Sequence, residues 1–167
     1  MSRVLLVGMM GTGKTTVGRA LSARTGWPYL DNDELLQRAR GRTAPELLAT
    51  EGEPALRAAE SAALTLVLGL PGPFIAGVAG GVVLDPADRA RLVASSATII
   101  WLRATVTTLA GRVGAGAGRS WLGDDPAVAL ARLAATRDPL YAEVADQVLD
   151  VDAGTPDELA ARIDLPT

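Results

Sequence analysis

Short apolar runs bounded by glycine or proline alternate along this chain with longer segments in which apolar residues recur every three or four positions. Val4-Leu5-Leu6-Val7 is the first run, without a polar residue, as in a parallel strand covered on both faces. From Lys14 to about Arg24, Val17, Ala20 and Leu21 fall on one side of a helix. Tyr29-Leu30-Asp31 predicts a second strand ending in acid, Phe74-Ile75-Ala76 a third running into a glycine turn (Gly77 to Gly81), Ala97 to Leu102 the clearest strand, and Gln147 to Asp150 a last one. Further helices are predicted from about Pro54 to Leu68, from Asp85-Pro86 to about Val93, after Leu102 to about Arg112, and from Pro126 to Arg137. Pro71-Gly72-Pro73 marks a turn, and Thr43 to Glu46 and Thr155 to Glu158 both read as capping boxes, the second opening a C-terminal helix. Strand and helix alternate throughout. That predicts one α/β domain over 1–167 with a mainly parallel sheet.

Composition narrows the chemistry. The 167 residues include no cysteine and no histidine, so thiolate metal sites, disulfides and imidazole catalysis are excluded, and a general base must be a carboxylate or a lysine. A net charge of −3 argues against a protein that binds nucleic acid through a broad basic surface. No apolar run approaches the roughly 18 residues of a membrane helix, and no signal-peptide pattern opens the chain. The expectation is a soluble cytoplasmic monomer with a small-molecule substrate. Of the 16 basic residues all but Lys14 are arginine, which makes that one lysine informative.

Lys14 lies in Gly8-Met9-Met10-Gly11-Thr12-Gly13-Lys14-Thr15, the spacing G-x-x-x-x-G-K-[ST], between a predicted strand and a predicted helix. Glycines there let backbone N–H groups turn toward phosphates, the helix N-terminus adds its dipole, the lysine meets the β- and γ-phosphates, and the Thr15 hydroxyl suits Mg²⁺. A GTPase, a motor fragment and a small-molecule kinase all remain open on this loop alone. Asp31 and Asp33 follow at the carboxyl end of the second strand, where ligands gather in open α/β sheets. In an extended segment they would diverge, one holding water on Mg²⁺ and the other accepting a hydroxyl proton; either could equally be a helix N-cap. Arg57, in Gly52 to Glu60, and Arg137, before Asp138-Pro139-Leu140-Tyr141, carry forks that suit a carboxylate, although most arginines are solvated surface residues.

Taken in order, G-M-M-G-T-G-K-T-T-V-G-R, D-N-D, G-E-x-x-L-R-x-x-E, A-G-G-V-V and R-D-P-L-Y-A-E-V-A-D resemble the shikimate kinase family over nearly the whole chain. The resemblance implies a P-loop kinase of the nucleoside-monophosphate-kinase type. It would be a three-layer α/β/α domain with a five-stranded parallel sheet, a substrate-binding helical insert at about 32–60 and a mobile lid at about 111–123. It implies transfer of the γ-phosphate of ATP, with Mg²⁺, to the 3-hydroxyl of shikimate. By position, Gly11, Thr12, Gly13, Lys14, Thr15 and Thr16 would hold the nucleotide phosphates, Thr15 and Asp31 the metal, and Asp33 the acceptor hydroxyls as base. Arg57 and Arg137 would clasp the carboxylate beside Gly80 and Gly81, Arg112 would lie on adenine, and Arg119 would reach in from the lid. The chain departs from the pattern at Ala79, where the added methyl is expected to restrict or crowd the glycine turn, and at Leu48 and Leu56, in place of aromatic walls. It departs also in Arg119-Ser120-Trp121-Leu122 and in the absence of a basic residue at 152–156. A kinase for another hydroxylated acid or a cyclitol, and a nucleotide-binding homologue without turnover, are the alternatives.

Overall fold

A computed structural model describes residues 2–113 and 123–165. The strands are β1 (Arg3–Val7), β2 (Tyr29–Leu30), β3 (Phe74–Gly77), β4 (Thr98–Arg103) and β5 (Gln147–Asp150). They form one sheet in the order β2-β3-β1-β4-β5, and every pairing is parallel. Helices α1 (Lys14–Thr25), α2 (Asn32–Arg40), α3 (Ala44–Glu51), α4 (Glu53–Leu68), α5 (Pro86–Ala94), α6 (Val106–Val113), α7 (Pro126–Val144) and α8 (Pro156–Ala161) connect and cover it.

The unbroken apolar runs follow from helices on both faces. Along β1, Leu5 and Val7 enter one core with Ile99 and Trp101 of β4 and Leu56, Ala59 and Ala63 of α4. Val4 and Leu6 point to the other, where Val17 and Leu21 of α1 meet Leu159 and Ala160 of α8. Both cores are sealed, with Leu5 and Leu6 at 0% exposure. At roughly 1.5–3 kcal/mol for each buried aliphatic side chain, this two-sided burial fixes the sheet centre. Both predicted capping boxes are present, Thr43 with Glu46 and Thr155 with Glu158, each hydroxyl accepting the N3 amide while the glutamate accepts the N-cap amide.

Two elements differ from the sequence reading. The helix predicted to end at Arg137 runs on to Val144 with Pro139 inside it. A 3-10 turn covers Val82–Leu84. Among the described residues no helix is long and apolar enough to cross a membrane.

Candidate active site

The carboxyl ends of β1, β2 and β3 open onto a cavity of about 1150 Å³. Its floor is the turn from β1 into α1. Gly8, Gly11 and Gly13 take φ of 143°, 81° and 93°, values that L side chains rarely adopt, so the chain can double back only because these positions lack Cβ. Thr12 is 2% exposed, and its hydroxyl donates to Met9 O at 2.9 Å, pinning the turn from within. Lys14 Nζ folds over the loop and donates to Gly8 O (2.7 Å) and Met9 O (3.1 Å). Gly11, Thr12, Gly13, Lys14, Thr15 and Thr16 all line the cavity, at the N-terminus of α1 where anions are favoured. Arg112, at the end of α6, donates from Nη1 to Gly11 O at 2.9 Å and closes one side.

Beside the loop, Thr15 Oγ1 donates to Asp31 Oδ2 at 2.9 Å. Asp31 is the N-cap of α2, with Oδ1 accepting the Asp33 amide at 3.0 Å. Of the two readings of this segment, extended or helix-capping, the capping one holds at Asp31: Asp33 sits in the first helical turn, exposed and lining the cavity. Capping and site roles coincide at Asp31, because one carboxylate oxygen ends the helix while the other faces Thr15. Tyr29 packs in the space that Gly18 and Gly77 leave, and burial pushes its pKa up to about 12, so the phenol stays protonated. A hydroxyl and one carboxylate are hard oxygen donors. They fit an ion such as Mg²⁺, which keeps waters and shares phosphate oxygens instead of needing an all-protein cage.

The opposite end is built from guanidinium groups. Arg57 on α4 donates to Glu60 Oε2 at 2.6 Å and to Glu53 Oε1 at 3.1 Å. Burial works against its charge, but the two carboxylates outweigh it and hold its pKa up. Burial likewise pushes the Glu60 carboxyl up, against the pull of Arg57 and then Arg137. Arg137 on α7 is only 5% exposed, yet its Nε has no hydrogen-bond partner among the described residues, and the same holds for Arg57 Nε. Both side chains line the cavity. Gly80 and Gly81 supply the wall between them. A Cβ on Gly81 would collide with the Arg57 guanidinium, and one on Gly80 would come within 3.1 Å of Gly8 O. Tyr141, fully buried on α7, donates to Gly80 O at 2.6 Å and ties the glycine turn to the helix that carries Arg137.

The sequence profile described as shikimate kinase matches residues 10–164. A shikimate kinase of Halorhodospira halophila is 37% identical over 97% of this chain and 91% of its own length. That of Cereibacter sphaeroides is also 37% identical, over 96% of this chain and 79% of its own. Among solved structures, a shikimate kinase from Acinetobacter baumannii in complex with shikimate superposes with a TM-score of 0.89 at 31% identity, covering 97% of this chain and 90% of that one. The chain belongs to the shikimate kinase family. A gluconokinase from Sinorhizobium meliloti, with a TM-score of 0.67 at 19% identity, shares the fold alone.

As a member of the shikimate kinase family the chain carries its departures quietly. Leu48 and Leu56 both line the cavity, so its wall is aliphatic. Ala79 was expected to restrict or crowd the turn. It is buried, and no described non-glycine residue has positive φ, so its methyl group imposes no left-handed strain. Gly154, Pro156 and Leu159 line the same cavity in place of a basic side chain. Arg119 and residues 114–122 of the predicted lid lie outside the described residues. Sequence reasoning missed Tyr29 and Tyr141. Tyr141 could have been found, because it lies four residues after Arg137 and so on the same helix face.

Proposed function

We propose that this protein transfers the γ-phosphate of ATP to the 3-hydroxyl of shikimate. The observation that carries the reading is the pairing of ends: a phosphate loop at one side of the cavity, and at the other two arginines whose buried Nε groups lack partners among the described residues. A buried guanidinium N–H left unpaired is costly, and a planar carboxylate satisfies it in bidentate fashion. The A. baumannii relative binds shikimate, whose carboxylate and hydroxyls match these two needs.

In this reading the β- and γ-phosphates lie against Lys14 and the N-terminus of α1, with Gly11, Thr12, Gly13 and Thr16 around them. Thr15 and Asp31 hold Mg²⁺, which would neutralise phosphate charge. Arg57 and Arg137 clasp the acceptor carboxylate beside Gly80 and Gly81, directing the 3-hydroxyl toward the γ-phosphorus. Asp33 takes the hydroxyl proton as the new O–P bond forms and the bond to the ADP oxygen breaks. Arg112 lies along adenine, and Arg119 meets the charge of the transferring group. Residues 32–60 serve as the acceptor-binding insert and 111–123 as the lid.

The test is a coupled ADP-release assay with shikimate, ATP and Mg²⁺. Turnover is expected; folded protein with no turnover above background would overturn the reading. The aliphatic wall of Leu48 and Leu56 favours one second reading, a kinase for another hydroxylated acid or cyclitol. An acceptor panel decides, and shikimate giving the highest kcat/KM would eliminate it.

A further inference from the structure

The two terminal nitrogens of Arg57 are both engaged by carboxyl groups of its own helix. Glu53 opens α4, Arg57 follows four residues on and Glu60 three after that, spacings that put the three side chains on one helix face. Nη1 donates to Glu60 Oε2 at 2.6 Å and Nη2 to Glu53 Oε1 at 3.1 Å. The two partners are unlike. The Glu60 side chain is 10% exposed, whereas that of Glu53 is 65% exposed and lines the cavity.

Arg103 shows a completed guanidinium edge in this protein: Nε and Nη2 donate to the two oxygens of Asp150 at 2.6 and 2.8 Å. On Arg57 the same two nitrogens are divided, Nη2 on Glu53 and Nε without a partner among the described residues. A carboxylate that takes both needs the nitrogen that Glu53 holds. It would also be the third acidic group around one positive charge, and like charges so close repel. Glu60 is buried and has no solvent to turn into. Glu53 has: an exposed ion pair contributes little, and the first turn of α4 favours its charge whether or not it touches Arg57. We propose that the acceptor carboxylate exchanges with Glu53 on Arg57, so that Glu53 is an internal competitor for the acceptor. The inference rests on the reading of Arg57 as part of the acceptor clasp.

The test is Glu53→Gln, which keeps the shape and removes the charge. KM for shikimate should fall about two- to five-fold, the range an exposed ion pair gives, while kcat and KM for ATP stay as in wild type. Shikimate titrated calorimetrically into the two proteins should show the same gain in affinity. A role for Glu53 in orienting Arg57 predicts the opposite sign, so a raised KM would overturn the proposal, as would an unchanged one. The carboxamide analogue of shikimate supplies a second arm. It brings no charge to Arg57 and leaves Glu53 in place, so Glu53→Gln should bind it no better than wild type does. An equal gain for the analogue would show that Glu53 merely obstructs the cavity, and would refute exchange. Wild type that turns over shikimate, with Glu53→Gln no better, overturns this inference alone. Wild type that neither binds nor phosphorylates shikimate would instead sink the proposed function, and the exchange with it.

Discussion

At one end of the cavity the chain uses consecutive residues, Gly8 to Thr16, folded by three positive-φ glycines into a turn that offers backbone groups and one lysine. At the other it gathers Arg57 and Glu60 from α4, Gly80 and Gly81 from the turn after β3, and Arg137 and Tyr141 from α7. The phosphate-loop end is local, and its Thr12 and Lys14 side chains bond to carbonyls of the same loop. The guanidinium end is non-local, buried, and leaves two Nε groups without partners among the described residues. A local site survives drift elsewhere in the chain, whereas a non-local one depends on how several elements pack. Lys14→Ala and Arg137→Ala should therefore fail in different ways.

The largest effect is expected from Lys14→Ala. Deleting a charge aimed at the transferring phosphoryl group should lower kcat/KM about a thousand-fold or more. The fold should persist, although losing the bonds to Gly8 O and Met9 O should lower the melting temperature by about 2–4 °C per kcal/mol lost. The coupled assay and a circular-dichroism melt check both halves; global unfolding would show that the loop end is not the self-contained unit described here. Arg137→Ala comes next. It removes a buried fork, so KM for shikimate should rise about ten- to hundred-fold while KM for ATP stays within about two-fold. Equal increases for both substrates would dissolve the distinction between the ends.

That distinction also explains what was legible in the sequence. The phosphate loop could be read residue by residue, because G-x-x-x-x-G-K-T states its geometry in its own spacing. The sheet was legible for a similar reason: strands buried on both faces are uninterrupted apolar runs. Arg57 and Arg137 were legible only through resemblance to a family, since nothing in either local sequence says that α4 and α7 deliver them to one wall. Asp31 shows the limit most clearly. Spacing placed it near the loop and left it open between a metal-side carboxylate and a helix N-cap; only the structure shows it in the cap of α2, with Asp33 in the first helical turn. Pro139 misled in the opposite direction, since a proline after Arg137 suggested an end and α7 runs past it. Tyr29 read as a strand residue, and only the structure shows its ring filling the space left by Gly18 and Gly77.

The smallest expected effect sharpens the comparison most, because it asks what the buried charges cost. Glu60 is 8% exposed, and burial raises its pKa in the folded protein more than Arg57 and Arg137 lower it. A carboxyl whose folded pKa lies above its unfolded value contributes stability that is fully present below the unfolded pKa. That contribution is lost as pH rises through the folded one. Glu60→Gln keeps the shape and removes the titration. Melting temperatures of both proteins, measured from below the carboxylate range to neutral pH, share every other titrating group, so their difference isolates position 60. The advantage of wild type over Glu60→Gln should be greatest at acid pH and shrink toward neutrality. An advantage that instead grew with pH would mean that pairing with Arg57 at 2.6 Å outweighs burial. In that case the guanidinium end would be held together by its charges, and its open Nε groups would be incidental to an ion pair that stabilises the fold on its own.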